Sequence, residues 1–113
     1  MAMDKNLISG SGTMLILKLL DGQDMYGYQM IEELARRSNH TFEFKTGTLY
    51  PLLHTLESKQ WVRSYEQEAN GKIRKYYALT KEGKKVSQEK QSEWKKYAEG
   101  VQGVIGGVSY GFV

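Results

Sequence analysis

Residues 47–80 read GTLYPLLHTLESKQWVRSYEQEANGKIRKYYALT, and the architecture of the chain follows from them. At the centre lies Asn70-Gly71, a strong hairpin signal, because both residues tolerate the positive φ that a two-residue turn demands. Folding the chain about that pair sets Glu66 opposite Lys75, Tyr65 opposite Tyr76 and Val62 opposite Leu79. Opposite charges, two aromatic rings and two aliphatic chains then meet across the ribbon, which argues for this register. Lys72, Arg74 and Tyr76 share one face. Ile73, Tyr77 and Leu79 share the other, which is expected to face the core near the strand ends.

Upstream of the hairpin, Leu49, Leu52, Leu53 and Leu56 recur at helical spacing, predicting a helix over about 48–59. A step of about 100° per residue puts Thr48, Pro51, His54, Thr55 and Ser58 on its opposite side. Thr46 and Thr48 are candidate N-caps, and Pro51 fits best in the first turn, where a missing N–H costs little. Before it, Thr41–Lys45 alternates, with Phe42 and Phe44 on one side and Glu43 and Lys45 on the other, so a short strand is expected. A helix over about Met25–Arg37 carries Tyr28, Ile31, Leu34 and Ala35 on its apolar face, with Asp24 as candidate cap and Ser38-Asn39 as its end. Tyr26 and Tyr28 are expected to pack. The segment TMLILKLL, Thr13–Leu20, predicts a buried helix closed by Asp21-Gly22 and starting as early as Ser9 or Ser11.

Downstream, Thr80 caps a last helix over Lys81–Gly100 or beyond. Trp94, Tyr97, Val101, Val104 and Val108 recur there at intervals of three and four, a seam about two heptads long. Gly100, Gly103, Gly106 and Gly107 each weaken a helix by about 1 kcal/mol relative to alanine, so the tail either frays or lets two backbones approach. Val101, Val104, Ile105 and Val108 would form an apolar surface without charge, which isolated monomers usually avoid.

At 113 residues, with 40% hydrophobic and 26% charged residues, the chain suits one globular unit. It has no cysteine, which excludes a disulfide scaffold and a thiolate site. The longest uncharged stretch, Gly100–Val113, is 14 residues, too short for a span of about 20 apolar residues. Met1–Gly10 has no apolar core of signal-peptide length, so a cytoplasmic location is expected. The net charge of +3 is unevenly placed: residues 61–85 hold 7 Lys/Arg and 3 Asp/Glu, whereas 1–60 hold 6 and 7, and 86–113 hold 3 and 3. The surplus therefore coincides with the hairpin and the residues just after it. A local basic surface of this kind attracts a polyanion more than a small global excess does.

Helix, helix, short strand, helix, hairpin, helix is the order of a winged helix-turn-helix. The expected fold class is α+β, mainly α, with a winged helix-turn-helix DNA-binding domain over 1–80 and a C-terminal dimerisation helix and tail over 81–113. A helix fits the major groove when its outer face is slim and carries hydrogen-bonding groups. The face made by Thr48, Pro51, His54, Thr55 and Ser58 has no carboxylate at its centre. It also lacks Arg and Lys, so direct readout by His54, hydroxyls and threonine methyls is modest and phosphate contacts weigh more. The candidate DNA-binding residues are Thr46, Thr48, Tyr50, His54 and Thr55 on the helix and Lys72, Arg74 and Lys75 on the wing.

Three stretches carry a closer likeness: LLDGQDMYGYQMIEEL, GTLYPLLHTLESKQWV and GKIRKYYALTKEGKK. In order and spacing, over about residues 13–85, they resemble the PadR family of transcriptional regulators, and the single helix after the wing resembles its small subfamily. The resemblance implies a homodimeric repressor whose last helix packs across a two-fold axis, a palindromic operator in double-stranded DNA, and release by a small aromatic or hydrophobic effector. It places Thr48 and Tyr50 near DNA and Arg74 and Lys75 at the basic pair of the wing. Trp94 falls where some small members hold an aromatic at the dimer interface, lining an effector pocket, and Tyr97, Val101 and Val104 continue that surface. The glycine-rich tail and the short wing depart from the family pattern.

Two other readings are weighed against a DNA-binding repressor. One is a winged-helix module for protein or effector binding without DNA contact. The other is an enzyme, for which no nucleophile–base pair, phosphate loop or metal constellation is visible; no cofactor or metal is expected, and His40 and His54 stand alone.

Overall fold

The computed structural model describes residues 5–106, with residues 5–10 as backbone only. Met1–Asp4, read above for an export signal, and Val108 with the rest of the tail at 107–113 lie outside the described residues. The elements are α1 (Lys5–Leu19), β1 (Met25–Tyr26), α2 (Gly27–Arg37), α3 (Thr46–Ser58), β2 (Val62–Ala69), β3 (Lys72–Leu79) and α4 (Lys81–Ile105). Four helices surround a small antiparallel sheet in the order β1-β3-β2, an α+β winged-helix arrangement that is mainly helical.

The hairpin has the predicted register: Glu66 pairs with Lys75, Tyr65 with Tyr76 and Val62 with Leu79. Its turn has φ of 54° at Asn70 and 78° at Gly71, the left-handed pair that a hairpin of matching twist needs. The core gathers Ile16, Leu17 and Leu20 from α1, Met30 and Leu34 from α2, Leu49, Leu53 and Leu56 from α3, and Val62 and Tyr77 from the sheet. Leu52 packs against it from the edge. The leucine stripe therefore faces inward, as its spacing predicts.

Several local expectations are corrected. Thr41–Lys45 is not a strand. Phe44 is buried and Phe42 packs on the core, which explains the alternation, but both neighbours of β3 are already β1 and β2. The third strand is instead Met25–Tyr26, paired with Tyr77 and Tyr76. Helix α2 consequently starts at Gly27, two residues later than expected, and its buried side is Gly27, Met30 and Leu34. Tyr28 is thereby turned outward and is 59% exposed, against the expectation that it packs. Asp24 does not cap the helix; Gln29 Oε1 accepts from the Tyr26 N–H at 3.1 Å. Ile73, two residues from the turn, is 66% exposed, and burial along β3 sets in only at Tyr77 and Ala78.

Helix α3 begins at Thr46, with Lys45 at the N-cap and no side-chain cap bond. Neither Thr46 nor Thr48 caps it, and Pro51 lies in the second turn rather than the first. The Gly47 carbonyl consequently lacks its i+4 donor. Thr80 does cap α4, accepting from the Gly83 N–H at 2.9 Å while its hydroxyl faces the carbonyls of Gln60 and Trp61 at 2.7 and 3.0 Å. Helix α4 runs through Gly100 and Gly103 to Ile105. Among the described residues no helix is long and apolar enough to cross a membrane.

Candidate nucleic-acid interface

The leucine stripe that buries one side of α3 leaves the other in solvent. Thr46, Thr48, Tyr50, Pro51, His54, Thr55 and Ser58 are all exposed. The nearby carboxylate of Glu57 lies to the side of this face by helical position, and its Oε2 accepts from the Ser64 hydroxyl of β2 at 2.5 Å. The face is thus free of negative charge, as a surface set against phosphates must be. Thr55 spends its hydroxyl proton on the Pro51 carbonyl at 3.1 Å, so toward a base edge it retains only an acceptor and a methyl group.

Tyr50 is 43% exposed, yet its hydroxyl end rests against the backbone of Gly27. The tyrosine therefore packs by its hydroxyl end and presents part of its ring to solvent.

The basic residues of the wing divide by strand alternation. Lys72 and Arg74 lie on one face of β3 and Lys75 on the other. Lys72 and Lys75 are exposed, and the Lys75 Nζ stands 5.6 Å from the centre of the Tyr77 ring. Arg74 is partly buried, with its guanidinium carbon 4.5 Å from the centre of the Tyr26 ring. Its Nε is sealed from solvent without a hydrogen-bond partner.

Tyr26 is itself held from several directions. Its backbone pairs with Tyr76, and the two rings meet edge to face at 5.4 Å and 79°. Tyr76 stacks on Tyr65 at 5.7 Å and 12°, and the Tyr65 hydroxyl donates to Asp24 Oδ2 at 2.6 Å. That bond, with a contribution from burial, raises the Tyr65 pKa above the ordinary phenol value. Burial likewise raises Tyr77.

Tyr50 of α3 and Arg74 of β3 are therefore brought to consecutive residues, Gly27 and Tyr26, at the start of α2. Sequence reading placed both on the interface but missed this meeting point. It also missed Tyr28, exposed beside it. The Y-G-Y run was the available signal, since a glycine between two tyrosines marks a close approach.

Helix α4 carries a separate apolar surface. Trp94, Tyr97, Val104 and Ile105 are 53, 70, 84 and 72% exposed, and Val101 is 36% exposed. Trp94 lines a groove of ≈ 590 Å³ between α1 and α4 with Met14, Leu15, Lys18, Gln91 and Lys95. Tyr97, Val101 and Val104 line a second, of ≈ 480 Å³, farther along α4 with Lys96 and Ile105. The predicted dimer and effector residues thus fall into two neighbouring grooves, with Trp94 alone in the first. Among the described residues no group of three His, Cys, Asp or Glu side chains could hold a metal ion.

Comparison with known proteins gives the same direction. The model of the transcriptional regulator PadR-like family matches residues 16–89. The chain is 35% identical over 95 residues to an uncharacterized protein of Lysinibacillus sphaericus, covering 83% of this chain and 87% of that one. It is 30% identical over 87 residues to a transcriptional regulator of Mycobacterium tuberculosis, covering 77% and 76%. Among solved structures it resembles a transcriptional regulator from Clostridium thermocellum, with TM-score 0.82, 30% identity and coverage of 89% and 99%. A PadR family transcriptional regulator from Eggerthella lenta gives 0.77 and 32%, covering 91% and 88%. The matched segment runs from α1 through the wing into α4, and it contains both the acid-free face of α3 and the basic hairpin. The chain belongs to the PadR-like family of transcriptional regulators, a family of generally DNA-binding repressors and not of enzymes.

Proposed function

We propose that this protein is a repressor that binds a palindromic operator as a homodimer. Residues 1–80 form the DNA-binding unit, and 81–113 supply the pairing helix and tail. In this reading α3 enters the major groove with Thr46, Thr48, His54 and Thr55, while Tyr50 reaches the phosphates. Lys72, Arg74 and Lys75 neutralise the backbone beside it. Two copies pair through Trp94, Tyr97, Val101 and Val104 of α4, and a small aromatic or hydrophobic effector occupies the groove at Trp94. The effector releases DNA by favouring a pair whose reading helices are wrongly spaced, since a ligand with equal affinity for both states shifts nothing.

The observation that supports DNA contact best is the exposed face of α3, which carries no carboxylate and is followed in the chain by a cationic hairpin. The test is footprinting on the DNA upstream of the protein's own gene, with binding measured across salt concentrations. Replacing Arg74 and Lys75 together by alanine should lower the slope of log affinity against log salt by about two, at about 0.9 per phosphate. A wild-type affinity indifferent to salt would instead favour a winged-helix module that binds protein or effector without DNA.

A further inference from the structure

We propose that Tyr26 is a positioning residue for nucleic-acid contact: it holds the Arg74 guanidinium in place for a phosphate before DNA arrives. This rests on the reading of the wing as a phosphate-binding element. The geometry supporting it is a cation set over an aromatic face, with Arg74 Cζ 4.5 Å from the Tyr26 centroid. Arg74 is only partly buried, and its Nε is the sealed, unpartnered side-chain nitrogen among the described residues. A guanidinium whose position is set by a ring beneath it is a fork prepared for an oxyanion.

The platform beneath it is locked. Asp24 accepts from Tyr65 at 2.6 Å, Tyr65 stacks on Tyr76, and Tyr76 meets Tyr26 edge to face, two residues along the chain from Asp24. The circuit joins both strands of the wing to the residue just before α2. A free arginine side chain loses about 2 kcal/mol of rotamer freedom when fixed, and a platform present in the unbound protein removes much of that loss from binding. The sealed Nε costs stability in the free protein, as a buried donor without an acceptor does. A structural arginine would not be expected to keep such a cost on an exposed wing.

A double-mutant cycle on the full chain tests this, with a mixed-sequence DNA duplex of about two helical turns as the probe at low salt. Arg74→Ala should weaken binding and lower the salt slope by about one. Tyr26→Leu should weaken binding about 3- to 10-fold with the salt slope unchanged, because the charge remains but is no longer held. Tyr26→Phe keeps the ring and should bind like the wild type. The double variant Tyr26→Leu/Arg74→Ala should bind no more weakly than Arg74→Ala alone. Fully additive losses, or a Tyr26→Leu protein that binds like the wild type, overturn the proposal and leave the wing reading intact. If Arg74→Ala itself binds like the wild type, both fall. A measurement independent of binding guards against loss of fold: the Arg74 Nε–H proton resonance should be displaced by the ring and protected from exchange in the wild type and in Tyr26→Phe. An ordinary, fast-exchanging resonance in the wild type refutes the contact.

Discussion

Gly27 and Tyr50 share one space: a Cβ on residue 27 would stand 2.7 Å from the Tyr50 Cζ and closer still to its hydroxyl. The first residue of α2 must therefore be bare for the α3 tyrosine to lie where it does. The two residues belong to separate conspicuous runs of the sequence, Y-G-Y and T-L-Y-P, and the contact explains why glycine in one suits tyrosine in the other.

Gly27→Ala is accordingly expected to push Tyr50 outward and to destabilise the fold by about 1 kcal/mol, the low end of overpacking costs, because a half-exposed tyrosine tip can swing away. In a Tyr50→Ala background the same substitution should cost much less, because the obstructing ring is gone. Urea denaturation of the four proteins measures this. Equal losses in both backgrounds would mean that Tyr50 is not the obstacle.

Gly83→Ala should be worse for stability. A Cβ there would stand 2.8 Å from the Trp61 carbonyl carbon and closer to its oxygen, and backbone cannot swing away as a tyrosine tip can. The same carbonyl accepts from the Thr80 N–H at 3.1 Å, which fixes the start of α4 against the end of α3. A loss at or above about 3 kcal/mol is expected in thermal or urea unfolding. A change below a few tenths would contradict the close approach.

Trp94→Ala should weaken self-association, because it removes a large exposed ring from the apolar side of α4. Sedimentation equilibrium across concentration would show the shift toward monomer, and a wild type that is monomeric throughout would refute the pairing. Wild-type tryptophan fluorescence should respond to planar hydrophobic compounds. A flat response across a panel of them counts against the groove as an effector site.

Glu33 predicts a pH effect of known sign. Hydrogen bonds from Arg36, and then from Arg37, lower its pKa from 4.5 to about 2. A depressed carboxylate stabilises the fold above its unfolded pKa and loses that contribution as pH falls. The advantage of the wild type over Glu33→Gln should therefore be full above pH 4.5 and vanish as pH approaches about 2. The site is exposed, so the difference should be small and should shrink with added salt. A carboxyl titration by NMR with an ordinary midpoint would show that the arginine fork does not form in solution.

Much of the molecule was legible because its signals are local. The hairpin register followed from Asn70-Gly71 and three cross-strand matches, all within twenty residues. The leucine stripe of α3 and the Thr80 cap were equally readable, since period and capping act within a turn or two. Misreadings arose where alternation or spacing has two possible causes. Phe42 and Phe44 alternate because both anchor a loop to the core, and nothing in Thr41–Lys45 says that the neighbours of β3 are already taken. Tyr28 fits a helical stripe as well as Met30 does until the two-residue strand before it sets the phase of α2.

The linear order of residues was enough to specify the winged helix-turn-helix, the inward side of its third helix, the pairing of its hairpin and the place of its positive charge. Each of these depends on neighbours a few residues apart, whose geometry the backbone imposes. Where Tyr50 rests, which ring lies under Arg74 and what the Glu57 carboxylate meets depend on side chains from different elements competing for one volume. Such contacts exist only once the core has set the distances between helices and sheet, so folding, not local pattern, assigns them.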